Sequence, residues 1–147
     1  MKFICLLIGA GIFLPFSCFL GKAQNTFRVM SYNVENLFDT ENNPLMEDDE
    51  FTPDGNRFWT KGRYYRKLQH VSQVIQAAGE WNAIALVGLC EVENDSVMEH
   101  LLRRTPLYKQ DYRYCMTHGC DIRGINVALL YHCLLYTSDA ADEARSV

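Results

Sequence analysis

The sequence predicts an α/β fold of the α+β type, and three observations support this prediction. Strand-like apolar runs lie on both sides of an amphipathic helix, a short second helix follows, and two more strand-like runs come after it. The chain has 147 residues, which suits about one domain. Its formal net charge of −4 excludes a general cationic surface, so a phosphate-bearing partner would need a local site or a metal ion.

Both ends of the chain stand apart from this pattern. Residues 1–23 combine Lys2, a long apolar run and small residues up to Ala23, which predicts a secretory signal peptide and export to the periplasm or the extracellular space. A membrane anchor is the alternative, but after cleavage we expect no stable membrane association. The start of residues 133–147 resembles a translated sequencing adapter, so we predict a non-native, disordered tail. Residues 24–132 remain as the domain.

The first part of the domain predicts a strand, a loop and a helix. Residues 26–34 form a β-rich run with Asn33 near its C-terminal end. Residues 39–60 are rich in Asn, Asp, Pro and Gly, which indicates a long loop of a length that is often functional. Residues 61–79 carry apolar side chains at three- and four-residue steps, which predicts an amphipathic helix that ends at Gly79.

The second part predicts a strand, a helix and two strands. Residues 82–94 form a continuous apolar run that contains Glu91, a pattern typical of a strand covered on both faces. Ser96 and Glu99 have the spacing of a capping box and predict the start of a short helix. Two further strands are expected at 111–118 and 124–132.

The first helix carries a run of basic residues near its start. Such a run could steer a phosphate backbone, but it more often forms the solvated face of a helix. We favour the solvated face for Lys61, Arg63, Arg66 and Lys67. The aromatic side chains of Trp59, Tyr64 and Tyr65 could stack on a base, but core packing is the better interpretation.

The domain contains three cysteines, and an odd number argues against a disulfide framework. Cys115 and Cys120 lie close in sequence in a chain that we expect to be exported, so a bond between them is an open alternative. Cys90 lies within the apolar run of the second strand, where we expect it to act as a small buried hydrophobe.

Two polar residues lie at the predicted carboxyl ends of strands, where open α/β sheets bind ligands. These residues are Asn33 and Glu91, and if their strands are neighbours their side chains converge. A carboxylate with an amide oxygen and water suits Mg²⁺, which polarises phosphoryl oxygens. The alternative is a strand-end Glu that is capped by a backbone amide or a lysine.

Three segments carry a family resemblance. MSYNVENLFD, ALVGLCEVEN and RGINVALLY resemble the endonuclease/exonuclease/phosphatase superfamily, and the similarity covers 26–132. The chain is most similar to exported members from Bacteroidetes-type bacteria. The resemblance implies the N-terminal part of a four-layer α/β/β/α sandwich with mixed sheets. It also implies metal-dependent hydrolysis of phosphodiester bonds, with nucleic acid or another phosphodiester as the substrate.

The resemblance also implies roles for three residues. Glu91 matches the principal Mg²⁺ ligand, with Mn²⁺ and Ca²⁺ as alternative ions, and Asn33 matches an active-site Asn that orients the phosphate or supports the metal. Arg123 matches a position at the substrate rim. The chain departs from the family pattern in this last segment, because Ile122 replaces an Arg and Asn126 replaces an Asp.

The resemblance implies further catalytic groups that have no match in this chain. These are an Asp that activates water, its partner Asn and a closing Asp-His pair. We therefore expect the intact parent to be a Mg²⁺-dependent, nuclease-like phosphodiesterase and this fragment to be inactive. The alternatives are a phosphatase or phosphodiesterase that acts on lipid or sugar phosphates, and a non-catalytic exported binding module. Nothing in the sequence bears on the oligomeric state.

Overall fold

The computed structural model describes residues 27–80 and 82–132. The predicted signal peptide and tail therefore lie outside the described residues. These described residues form four strands and two α-helices in the order β1 (Val29–Leu37), α1 (Lys61–Gly79), β2 (Leu86–Val92), α2 (Asp95–Arg103), β3 (Tyr112–Met116) and β4 (Asn126–His132). Short 3₁₀ turns occur at Asp49–Phe51 and Pro106–Gln110. In this described part, neither helix is long and apolar enough to cross a bilayer.

The strands form one mixed sheet in the order β1-β2-β4-β3. β1 and β2 are parallel, as expected for strands joined by a helical crossover, whereas β4 is antiparallel to both of its neighbours. The predicted α/β fold class is therefore confirmed. A mixed sheet with helices is compatible with the N-terminal part of the expected four-layer sandwich.

α1 has the bounds that its apolar periodicity predicts. The side chain of Thr60 caps its first turn by accepting a hydrogen bond from the Arg63 N–H at 3.4 Å. Gly79 is the last helical residue, but the left-handed residue that follows the helix is Glu80, with φ of 55°. A Cβ at Gly79 would make ordinary van der Waals contact with Cγ1 of Ile84 at 3.5 Å, so packing does not require glycine at this position.

The predicted cap of α2 is wrong by two residues. The N-cap is Asn94, whose side-chain oxygen accepts a hydrogen bond from the Val97 N–H at 3.0 Å. Ser96 lies in the first turn and is exposed. Asn94 has the extended backbone that an N-cap requires, and its side chain is as effective a cap as that of serine.

The hydrophobic core lies between the helices and one face of the sheet. Tyr64 and Trp59 are buried in it, which confirms that these aromatic rings pack rather than stack on a ligand. The sheet contributes alternate side chains, and both helices contribute one apolar face. The fully buried members include Leu68, Val71, Ile75, Val87, Leu89, Val97, Met98, Leu101, Ala128 and Leu130.

The opposite face of the sheet carries apolar side chains that remain exposed. Val127 is 48% exposed and Leu129 is 37% exposed, and Gly88 and Cys90 beside them on β2 are only partly buried. The apolar run of β2 is typical of a strand covered on both faces, but only the helix-facing side of β2 is covered in the described residues. Apolar strand surface of this kind favours self-association.

The cysteines also differ from the sequence-based expectation. Cys115 and Cys120 are both exposed free thiols, so the disulfide that their spacing allowed is not formed. Cys90 is partly exposed on the uncovered face of the sheet rather than fully buried, because its position alternates with the core residue Leu89.

We predict that the double substitution Val127→Thr and Leu129→Thr reduces binding of the hydrophobic dye ANS and self-association of the chain. Threonine is β-branched, a shape that strands favour, and it removes apolar surface at both positions. Dye fluorescence and sedimentation velocity measure the effect. The control is Leu130→Thr on the covered face, which should instead lower the free energy of unfolding by about 2–5 kcal/mol. Unchanged dye binding in the double variant would show that this face is not the exposed apolar surface.

Candidate active site

The candidate site lies at the carboxyl ends of the two parallel strands. Asn33 on β1 is aligned with Cys90 on β2, so Glu91 follows directly after the residue that faces Asn33. Nδ2 of Asn33 donates a hydrogen bond to Oε1 of Glu91 at 2.9 Å. The two side chains that the sequence placed at strand ends are therefore in direct contact.

A bulge in β2 makes this contact possible. Strict alternation would place Glu91 on the helix-facing side with Val87 and Leu89, which are fully buried. The register instead shifts between Cys90 and Val92, and Glu91 has a left-handed backbone with φ of 65°. The bulge redirects the carboxylate toward Asn33 and lets Val92 return to the core.

A second irregularity lies opposite, in β1. Glu35 and Asn36 are consecutive residues with φ of 55° and 60°, a conformation that residues other than glycine rarely adopt. The Glu35 N–H donates to Oδ1 of Asn33 at 2.8 Å, and the Asn36 N–H donates to Oε2 of Glu91 at 3.0 Å. Each oxygen of the Glu91 carboxylate therefore accepts one hydrogen bond from β1.

The donor set at this position is compatible with a divalent ion. Glu91 is partly exposed, and each of its oxygens retains a lone pair beyond the hydrogen bond that it accepts. Mg²⁺ commonly uses one or two carboxylates and keeps several waters. No group of three or more His, Cys, Asp or Glu side chains suited to a metal occurs among residues 27–80 and 82–132.

Asn33 plays a supporting part in this arrangement. Its amide nitrogen faces Glu91, and its amide oxygen accepts the Glu35 N–H. The side chain therefore orients the Glu91 carboxylate and ties it to the bulge in β1. Its role as a direct metal ligand stays a prediction.

A buried carboxylate, that of Glu93, lies two residues beyond Glu91. Glu93 is only 9% exposed, and its Oε2 accepts the Asp39 N–H at 2.6 Å. Burial raises the pKa of Glu93 to about 7, against the lowering effect of this hydrogen bond and with further raising from the charges of Asp39 and Asp48. Asn94 donates to Oδ2 of Asp39 at 3.0 Å and extends the network to the start of α2.

Arg123 lies in the loop between β3 and β4, with no hydrogen bond to Asn33 or Glu91. It is exposed and pairs with Asp121 at 3.2 Å, and this contact lowers the pKa of the Asp121 carboxyl. The pKa of Arg123 is raised first by Asp121 and more weakly by the charge of Glu91. The structure thus places an exposed cation within the electrostatic reach of the candidate site, and its contact with substrate stays a prediction.

Asn126, where the family pattern has Asp, has a clear structural function. Its Nδ2 donates to the carbonyl oxygens of Glu93 at 2.7 Å and Gly124 at 3.1 Å, and its Oδ1 accepts the Gly119 N–H at 2.8 Å. A carboxylate could not make the two donations. Asn rather than Asp at position 126 therefore allows the hydrogen bonds that connect this loop to Glu93, just after the strand that carries Glu91.

One basic residue of α1, Lys67, does not lie on a solvated face, contrary to our interpretation of the basic run, whereas Arg63 is exposed as expected. Lys67 is partly buried, and its Nζ donates to the carbonyl oxygens of Glu35 and Asn36. Arg63 donates to the carbonyl oxygens of Arg57 and Phe58. A sequence signal was available for Lys67, because it lies three residues after Tyr64 and four before Val71, at the boundary of the apolar face.

The fold and the site together define the class of protein. A mixed α/β sheet with a held carboxylate at the carboxyl ends of adjacent parallel strands is an arrangement suited to ligand or metal binding. Residues 28–147 match the Endonuclease/Exonuclease/phosphatase family, and the chain belongs to that family. Its members are hydrolases of the nuclease and phosphatase type and generally depend on divalent metal ions. No curated protein and no solved structure matches the chain significantly.

We predict that Glu93 makes the stability of the chain depend on pH. Its pKa is raised from 4.5 when unfolded to about 7 when folded, so its protonated form stabilises the fold fully below pH 4.5. This contribution is lost as the pH rises through about 7 and amounts to about 3 kcal/mol. Urea unfolding at several pH values measures it.

The matched control is Glu93→Gln, which is neutral at every pH and still accepts the Asp39 N–H. The difference in unfolding free energy between this variant and the wild type should grow from acid to neutral pH, with the variant gaining in relative stability. A difference that is independent of pH would contradict the raised pKa.

Proposed function

We propose that the intact protein hydrolyses phosphodiester bonds in a Mg²⁺-dependent, nuclease-like reaction, with nucleic acid as the substrate. The observation that carries this proposal is the Glu91 carboxylate, which Asn33 and the backbone of Asn36 hold at the carboxyl ends of β1 and β2. Mg²⁺ is the favoured ion, and Mn²⁺ or Ca²⁺ would suit the same oxygen donors.

The chain's own residues contribute orientation and charge. Glu91 would hold the ion, and the hydrogen bonds from Asn33 and Asn36 fix the direction in which its remaining lone pairs point. When bound, a divalent ion supplies polarisation of a phosphoryl oxygen and stabilisation of the leaving oxygen. A carboxylate that is already oriented needs no reorganisation at the moment of binding, which favours affinity.

Arg123 supports the same assignment. It is the exposed cation of the loop beside the site, and its partner Asp121 is itself a surface residue. A phosphate group of the substrate could therefore replace Asp121 as the partner of the guanidinium at little desolvation cost, and guanidinium groups bind phosphate in a bidentate manner. Arg123 would thus contact the substrate at the rim of the site.

Hydrolysis also requires an activated water and a group that transfers protons. In the described part of the chain, neither a histidine nor an aspartate is hydrogen-bonded to Asn33 or Glu91. We therefore propose that this chain binds the ion without turnover and that other residues of the intact protein complete the site. We also propose, from the signal-like residues 1–23, that the protein acts in the periplasm or outside the cell.

Assays of phosphoester cleavage also distinguish two alternative functions. A phosphatase or phosphodiesterase that acts on lipid or sugar phosphates would use the same carboxylate, and the net charge of −4 mildly disfavours tight non-specific binding to DNA. A non-catalytic binding module would show no turnover with any phosphoester. Assays with plasmid DNA, RNA, phosphoinositide vesicles and sugar phosphates separate these cases.

We predict that Glu91→Gln in the intact protein lowers cleavage of plasmid DNA by at least about 100-fold and Mn²⁺ affinity by at least about 10-fold, because it removes the charged ligand. Gel assays and Mn²⁺ titration by electron paramagnetic resonance measure the two effects. The control is Glu41→Gln, which makes the same change at an exposed loop position and should leave both unchanged. Full cleavage by Glu91→Gln, or no phosphoester cleavage by the wild type, would overturn the proposal.

A further inference from the structure

We propose that Lys67 is a positioning residue that sets the orientation of the Glu91 carboxylate through a single peptide group of β1. The functional part of this inference rests on the proposed role of Glu91 as the metal ligand. The geometric part concerns only the contacts among Lys67, β1 and Glu91.

The peptide group that joins Glu35 to Asn36 lies between the two charges. Nζ of Lys67 donates to its carbonyl oxygen, and its N–H donates to Oε2 of Glu91 at 3.0 Å. Because a trans peptide group is planar, its carbonyl and N–H point in opposite directions, and holding one end directs the other. Lys67 therefore aims the N–H that binds the carboxylate.

The charges reinforce this geometry. The ammonium polarises the peptide group from its carbonyl end, and the carboxylate polarises it from its N–H end. Hydrogen bonds that are linked in this way strengthen each other, most of all in a partly buried environment. Burial lowers the pKa of Lys67, whereas the charges of Glu35 and Glu91 raise it, which is consistent with an ammonium held against the carboxylate site.

The conformation that Lys67 holds is an unfavourable one. Glu35 and Asn36 both have a left-handed backbone, which is strained in a residue with a side chain. Lys67 binds the carbonyl oxygens of both residues, with 3.0 Å to that of Asn36. Without these two hydrogen bonds from Lys67 the peptide group can rotate, and the Asn36 N–H then no longer contacts Glu91.

The ammonium is itself anchored. It lies 5.5 Å from the centroid of the Trp59 ring, within the range of a cation–π contact. The Trp59 ring is buried, and its Nε1 donates to the carbonyl oxygen of Phe38 at 2.9 Å, one residue beyond the end of β1. α1 and the loop before it thus hold Lys67 in place. Through Trp59, this long loop contributes to the orientation of Glu91.

The test is a graded series in the intact protein: Lys67→Arg, Lys67→Gln and Lys67→Met. Arginine keeps a charged donor, glutamine keeps a neutral donor and methionine keeps only the apolar stem. We expect Mn²⁺ affinity to fall in that order, by about 10–100-fold for methionine, as is typical when a partner of a metal ligand is lost. Arg66→Met, at the exposed neighbouring position, should change affinity less than about twofold.

Two readouts separate positioning from a general loss of structure. In ¹⁵N–¹H spectra without metal, the Asn36 amide should shift in Lys67→Met as it loses the carboxylate. Adding Glu35→Gly to Lys67→Met should restore much of the Mn²⁺ affinity, because glycine adopts positive φ without strain. Lys67→Arg should stay within a few-fold of the wild type, which keeps the inference testable if Lys67→Met does not fold.

Three results would overturn the inference: unchanged affinity in Lys67→Gln and Lys67→Met, an Asn36 amide that does not respond, or a loss that Glu35→Gly does not reduce. If the proposed function is wrong, the experiments give a different result. In that case Glu91→Gln binds Mn²⁺ as well as the wild type does, while the response of the Asn36 amide to Lys67→Met still tests whether Lys67 aims that peptide group.

Discussion

The arrangement depends on one constraint: a carboxylate at the end of a hydrophobic strand must be held without being buried among apolar side chains. The structure meets this constraint with the hydrogen bonds from Asn33 and Asn36 to the two oxygens of Glu91. Both donors come from the neighbouring parallel strand. The pairing of β1 with β2 is therefore what brings the site together, and the crossover helix α1 makes that pairing possible.

The bulges show how local strain and function are connected. Three left-handed residues lie within the two strand ends, and each is stabilised by a contact that the site also uses. The β2 bulge turns Glu91 out of the core, and the β1 bulge presents the Asn36 N–H to it. Glu93 and Asn126 then anchor the following turn to the first loop and to β4. The same residues thus stabilise this edge of the sheet and orient Glu91, the candidate metal ligand.

Much of the architecture could be predicted because its signals are local. The bounds of α1 follow from an apolar period along one segment, and the strands follow from apolar and β-branched runs. The start of α2 was misplaced because Asn94 and Ser96 are both good caps, and only the backbone at Asn94 decides between them. Lys67 was placed on a solvated face because charge alone does not reveal a carbonyl partner that is distant in sequence.

From the sequence alone we could predict the fold class, the helix and strand order, the family resemblance and the placement of Asn33 and Glu91 at strand ends. These features rest on periodicity and motifs that are read along the chain. Three features could be seen only in the folded chain: Glu91 leaves the core through a bulge, Glu93 is buried with a raised pKa, and Lys67 contacts the peptide group that binds Glu91. Each of these depends on atoms that meet only after the strands pair and the helix packs across them.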